Sequence, residues 1–254
     1  MQKIINFSFI LLITISLSAS ELKWYDFKEA YEIAQRENKI ILIDFYTDWC
    51  GWCKKMDKNT YTDQKIIEML NQGFVAVKIN PEKDGYIETP QGKIKFNQLS
   101  REIGVRSFPS TGFFTKDFKL IDVIPGYYDP ENMSVLLGYM NGTMFEKISF
   151  QDYRLFNEVK KMSESDNASP KLDFILGYFY MTFFNNTEQA YKNFQSALSN
   201  NLVNKEIYAA LSLTSSSPNE FMNKAKEMGY KDKSELDDLV VAYVQEFFSR
   251  KQKP

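Results

Sequence analysis

Lys39-Ile-Ile-Leu-Ile-Asp-Phe-Tyr-Thr-Asp-Trp-Cys-Gly-Trp-Cys-Lys-Lys-Met56 contains both cysteines of a 254-residue chain that has no histidine. Its first half, Lys39 to Tyr46, is a nearly continuous β-branched and apolar run. That is the pattern of a central strand buried on both faces. Cys50 and Cys53 follow at the strand's carboxyl end, and a helix is expected from Lys54 onward. A staple, a metal site, a haem attachment and a redox pair are the four readings of two cysteines so placed.

Three of them fit poorly. A disulfide closing about four residues removes only about 2 kcal/mol of unfolded-chain entropy, against about 3 for fifteen residues. Structural zinc takes four ligands, mostly Cys and His, and this chain offers two cysteines and no histidine. Covalent haem attachment normally reads Cys-x-x-Cys-His; here Lys54 stands in the fifth place. The redox reading suits the setting. A cysteine at a helix amino terminus faces unpaired N–H groups and the positive end of the helix dipole. This is worth about 1–2 kcal/mol to a thiolate, on the order of one pKa unit. Cys53 sits one helical turn on, within reach of a mixed disulfide at Cys50, and Gly51 leaves the first thiol uncrowded. Asp44 stands in the middle of the apolar run. Desolvation there raises a carboxyl pKa and suits a general base; the alternative is an aspartate hydrogen-bonded at a strand edge.

Working outward, Asp26 to Glu29 reads as a helix start and Asn38 as its stop. Helical pieces follow up to Asn59 and over Asp63–Asn71, and Phe74–Ile79 is a second strand. The polar stretch Asn80–Lys95 is a loop or a small hairpin. Phe96–Ile103 is a short helix, and Val105–Phe114 leads into a strand whose hairpin partner is Lys119–Ile124. Pro125-Gly126 breaks it, and Met133–Met140 is a helix. Alternating β and α elements followed by an antiparallel pair indicate an α/β fold: a mixed sheet with helices on both faces.

After Gly142 no strand is expected. Residues 143–170 read as linker and helix, and 171–254 as an all-α region of helical hairpins. Leu176, Gly177, Tyr180, Ala190, Phe194 and Ala197 echo a tetratricopeptide-like pattern; a small helical bundle is the plainer alternative. At the other end, residues 1–20 combine Lys3, an apolar run from Phe7 to Leu17 and small residues before Glu21. That is the layout of a signal peptide, so the chain is expected to be exported, periplasmic or extracellular, or membrane-anchored if uncleaved. Without it, 30 Lys+Arg face 33 Asp+Glu. A balance so near neutral gives no electrostatic reason to expect nucleic acid as partner.

Asp44-Phe-Tyr-Thr-Asp-Trp-Cys-Gly-Trp-Cys-Lys54 resembles the active-site segment of the thioredoxin family, and Ser107-Phe-Pro-Ser110 before a strand resembles its cis-proline loop. The resemblance covers about Leu22 to Gly142 and implies a thioredoxin fold over 21–142. The Trp-Cys-Gly-Trp-Cys-Lys-Lys form and the break near Thr60 are similar to exported thioredoxin-like proteins related to disulfide-relay reductases. It implies that Cys50 is the attacking, more exposed thiol, Cys53 the resolving one, and Asp44 the carboxylate that deprotonates Cys53. It implies a cis Pro109 presenting Phe108 backbone groups to an extended substrate; a trans proline opening a strand is the alternative. Trp49 and Trp52 would flank the thiols, and Gly126 would line the same groove unless Pro-Gly is an ordinary turn.

No cofactor beyond a Cys50–Cys53 disulfide is implied. The partners implied are protein thiols and disulfides, with a membrane or thioredoxin-like electron donor if the protein reduces. Departures from the family pattern are Phe108 before the proline, the long Asn80–Lys95 stretch, and Gly-Trp between the cysteines. Lacking histidine, the pair leans toward reduction. A rival reading makes the helical half a protein-binding module, on the aromatic pattern Tyr178, Phe179, Tyr180, Phe183, Phe184.

Overall fold

The strand that decides the fold, β2 (Ile40–Phe45), lies at the centre of a five-stranded sheet of order β1-β3-β2-β6-β7 in a computed structural model. The structure describes residues 21–89, 92–165 and 169–248; the expected signal peptide, 1–20, lies outside them. The other strands are β1 (Trp24–Tyr25), β3 (Phe74–Ile79), β6 (Ser110–Phe114) and β7 (Leu120–Pro125). β1 and β2 run parallel to β3, whereas β6 is antiparallel to both β2 and β7. This is a thioredoxin fold with a mixed sheet. β1 was not foreseen, because two residues carry no readable period.

Strand alternation sorts β2 between two faces. Ile41, Ile43 and Phe45 join Phe27, Ala30 and Ala34 of α1 (Phe27–Glu37) and Leu99 of α4 (Phe96–Glu102) in one core. Leu42 and Asp44 point the other way, beneath α2 (Gly51–Asn59). Helix α1 starts where Asp26 accepts from the Glu29 N–H at 3.0 Å and ends at Asn38 in the left-handed region. Helix α2 begins at Gly51, three residues before the expected Lys54, because Cys50 itself serves as its N-cap. The chain breaks at Thr60 and resumes as α3 (Gln64–Gly73), capped by Asp63. Within Asn80–Lys95 the hairpin forms, as β4 (Tyr86–Thr89) and β5 (Gly92–Lys95), in a separate two-stranded sheet. Helix α5 (Pro130–Asn141) follows β7.

The chain divides into two compact units, Met1–Ser134 and Val135–Pro254. Beyond α5, the second holds α6 (Phe150–Ser163), α7 (Pro170–Thr182), α8 (Thr187–Ser199), α9 (Lys205–Thr214), α10 (Pro218–Glu227) and α11 (Ser234–Phe248). Helices α7 and α8 pack as one hairpin and α9 and α10 as another. Phe156 meets Phe179, Tyr180 and Phe184 at ring-centroid distances of 5.7, 5.4 and 4.7 Å. Much of the aromatic stripe behind the rival reading is thus engaged in packing. Among the described residues, no helix is long and apolar enough to cross a membrane.

Candidate active site

Cys50 and Cys53 are joined by a disulfide at the amino end of α2. The Cys50 Sγ accepts the Cys53 backbone N–H at 3.0 Å, so one of the helix's orphan donors is aimed at the first sulfur. Both cysteines are only 3 % exposed. The expected difference in exposure is absent in this oxidised form. Nothing lies within 4 Å of where a Gly51 Cβ would stand, so that flank is open.

Asp44 is 2 % exposed, on the face of β2 that looks toward α2. Its Oδ2 lies 3.2 Å from Lys78 Nζ, and Lys78 also makes a short contact with Asp57 of α2. Burial pushes the Asp44 carboxyl up from the ordinary 3.8 to about 6, against the pull of Lys78 and with a push from Asp57. Burial alone would lower the Lys78 ammonium, but Asp44 and Asp57 hold it above its ordinary value. Asp44 Oδ1, the Tyr61 hydroxyl and the Thr111 hydroxyl are buried together, close enough for Tyr61 to act on the Asp44 carboxyl. Thr111 faces Asp44 across the β2–β6 ladder, and burial, reinforced by Asp44, lifts the Tyr61 phenol well above its usual range. The carboxyl therefore sits in a buried polar pocket where Lys78 is shared between it and Asp57.

Phe108–Pro109 is a cis peptide, and the Pro109 carbonyl accepts the Gly126 N–H at 2.8 Å. Gly126 has φ +99°, a conformation that a side chain would strain. The next residues are tied back to the helix break, where Thr60 Oγ1 donates to the Tyr128 carbonyl at 2.7 Å. Trp49 is 68 % exposed and stands edge-on to Phe108 at 6.2 Å; Trp52 is 57 % exposed and lies against Tyr127 at 5.3 Å. The structure thus pairs Trp49 with Phe108 and Trp52 with Tyr127 beside Gly126, and buries Asp44 on the face of β2 that looks toward α2.

Lys78, Asp57, Tyr61 and Thr111 were not singled out from the sequence. Lys78 had a usable signal, a lone cation in Phe-Val-Ala-Val-Lys-Ile, the same kind of break that marks Asp44. Asp57 had another, four residues after Cys53 and so on its helix face. Tyr61 and Thr111 had none, since the fold alone brings them to Asp44.

Residues 27–141 match the family model of a thioredoxin-like domain. The thiol:disulfide interchange protein DsbD of Tatumella citrea is 28% identical over 114 residues, 45% of this chain and 16% of that protein. A protein disulfide-isomerase of Schizosaccharomyces pombe is 31% identical over 111 residues, 43% of this chain and 26% of that protein. The chain spans less than a third of the length of either relative. Among solved structures, a DsbH oxidoreductase aligns with TM-score 0.42 at 20% identity, over 52% of this chain and 92% of that one.

Proposed function

We propose, from the premise that residues 27–141 form a thioredoxin-like domain, that this protein is an exported thiol–disulfide oxidoreductase acting on protein disulfides, and that it works as a reductase. The observation that carries the reading is the Cys50–Cys53 bridge at the start of α2, with the raised Asp44 carboxyl behind it. The DsbD and protein disulfide-isomerase relatives support the class of chemistry. The export part rests on the residue pattern of 1–20, and the reducing direction on the absence of histidine from the pair.

In the reduced protein, the Cys50 thiolate attacks one sulfur of a substrate disulfide. A mixed disulfide forms and the first substrate thiolate leaves. Cys53 gives its proton to the Asp44 carboxylate and attacks Cys50 Sγ. That breaks the mixed disulfide, releases the second substrate thiolate and closes the Cys50–Cys53 bridge. Two electrons have passed to the substrate, and its thiolates take up protons. A carboxyl near 6 suits this task, because it is mostly ionised at neutral pH yet close enough in basicity to accept a proton. Trp49, Trp52, Phe108, Pro109 and Gly126 form the surface on which an extended substrate segment lies. An external dithiol, from a membrane donor or another thioredoxin-like protein, restores the reduced state; no metal or organic cofactor enters the cycle.

The test is the reduction potential of the pair, read by tryptophan fluorescence in dithiothreitol or glutathione buffers. The expected value is near or below about −230 mV, in the range of thioredoxins and glutaredoxins. A value between about −120 and −180 mV indicates an oxidase or isomerase instead. If no reversible two-electron transition occurs, the oxidoreductase reading itself fails.

A further inference from the structure

The rim around the cysteines has two unlike sides. On the first, the Trp49 indole N–H donates to both carboxylate oxygens of Glu82 at 3.0 Å, and Asp48 pairs with Lys83 at 3.1 Å. This side carries fixed negative charge, part of it neutralised. On the second, Lys55 Nζ sits 4.7 Å from the Trp52 ring centroid and 4.9 Å from that of Tyr127. Lys55 is exposed, and among the described residues it makes no ion pair. The two rings hold its ammonium in place by their negative faces without cancelling its charge.

The arrangement has a direction. Trp52 adjoins Cys53 in the chain, and Lys55 follows Trp52 by three residues, on the same helix face. An exposed cation one turn from the disulfide, in a cluster separate from the one that holds Glu82 and Asp48, makes the charge around the cysteines uneven. A substrate carboxylate lowers its energy on the Trp52–Tyr127 side and raises it on the Trp49 side. We propose that Lys55, seated on Trp52 and Tyr127, is a specificity-determining residue. It selects protein segments bearing an aspartate or glutamate within about three residues of the cysteine attacked, a span of roughly 10 Å in extended chain. The proposal rests on the thiol–disulfide reading above. The whole chain has a formal net charge of −2. Its long-range field therefore does not favour acidic substrates, and such a preference must arise locally.

The test uses the full chain, pre-reduced, and two symmetric peptide disulfides that differ only in carrying glutamate or lysine two residues either side of the cysteine. Single-turnover closure of Cys50–Cys53 is followed by tryptophan fluorescence. The glutamate peptide is expected to react about threefold to fivefold faster at low salt, the upper end of what one exposed ion pair contributes. The gap should shrink toward unity at 1 M salt, where the screening length falls to about 3 Å. Lys55→Glu should invert the preference and Lys55→Arg should keep it. Equal rates for both peptides, or a preference unmoved by Lys55→Glu, overturn the proposal and leave the oxidoreductase reading standing. If neither peptide is reduced, the oxidoreductase reading falls, and this proposal with it.

Discussion

Asp44 is where sequence and chemistry meet most directly. Its carboxyl rises from 3.8 to about 6 on folding, chiefly through burial. At 1.36 kcal/mol per unit this is a penalty of about 3 kcal/mol on the ionised form. Between those two values the native state binds more protons than the unfolded state. Stability therefore falls as pH rises through this window, and the full penalty is present at pH 7. Asp44→Asn is expected to stabilise the oxidised protein at pH 7 by up to about 3 kcal/mol, with the gain vanishing below about pH 4. Lys78 keeps Asp57 as partner in that variant. Urea midpoints at the two pH values measure this. The same variant should slow closure of the mixed disulfide by about 10²-fold, the scale of a lost general base. A variant no more stable at pH 7 and equally fast would remove Asp44 from the mechanism. Asp44 was legible because a charge in Ile-Leu-Ile-Asp-Phe-Tyr breaks the strand's pattern. Lys78 breaks its own strand in the same way but is a weaker signal, because a long stem can carry a lysine's charge to the surface.

Among the elements, β2 and α2 were readable from the chain, and their junction only in part. The helix begins earlier than its sequence signals, because a cysteine is not among the usual N-caps. The expected helical hairpins are present after Gly142, where side-chain caps at Ser149, Ser169, Asn186 and Asn204 open successive helices. What those helices touch was not readable, since similar apolar faces suit many partners. One contact is specific. A Cβ on Gly177 of α7 would stand 2.6 Å from the Phe194 ring of α8. Gly177→Ala is therefore expected to cost about 1–3 kcal/mol through overpacking, despite alanine's better helix propensity. Adding Phe194→Leu should recover part of it. A thermal midpoint for Gly177→Ala equal to or above the parent's would show that the hairpin yields without strain.

At the scale of the whole molecule, the groups placed around the disulfide all lie before residue 129, within the first compact unit. A chain ending at Gly142 is expected to keep its reduction potential within about 10 mV of the full chain's, a third of the shift that a tenfold change in equilibrium constant requires. A larger displacement would mean that the helical region tunes the pair. The molecule's composition adds one more consequence. With no imidazole anywhere in 254 residues, no histidine titration overlaps that of a buried carboxyl near 6. A transition near pH 6 therefore belongs to a carboxyl, and a C=O band that titrates there and is lost in Asp44→Asn is expected in time-resolved infrared spectra of disulfide closure. That band would let the proton that leaves Cys53 be followed on the atom that receives it.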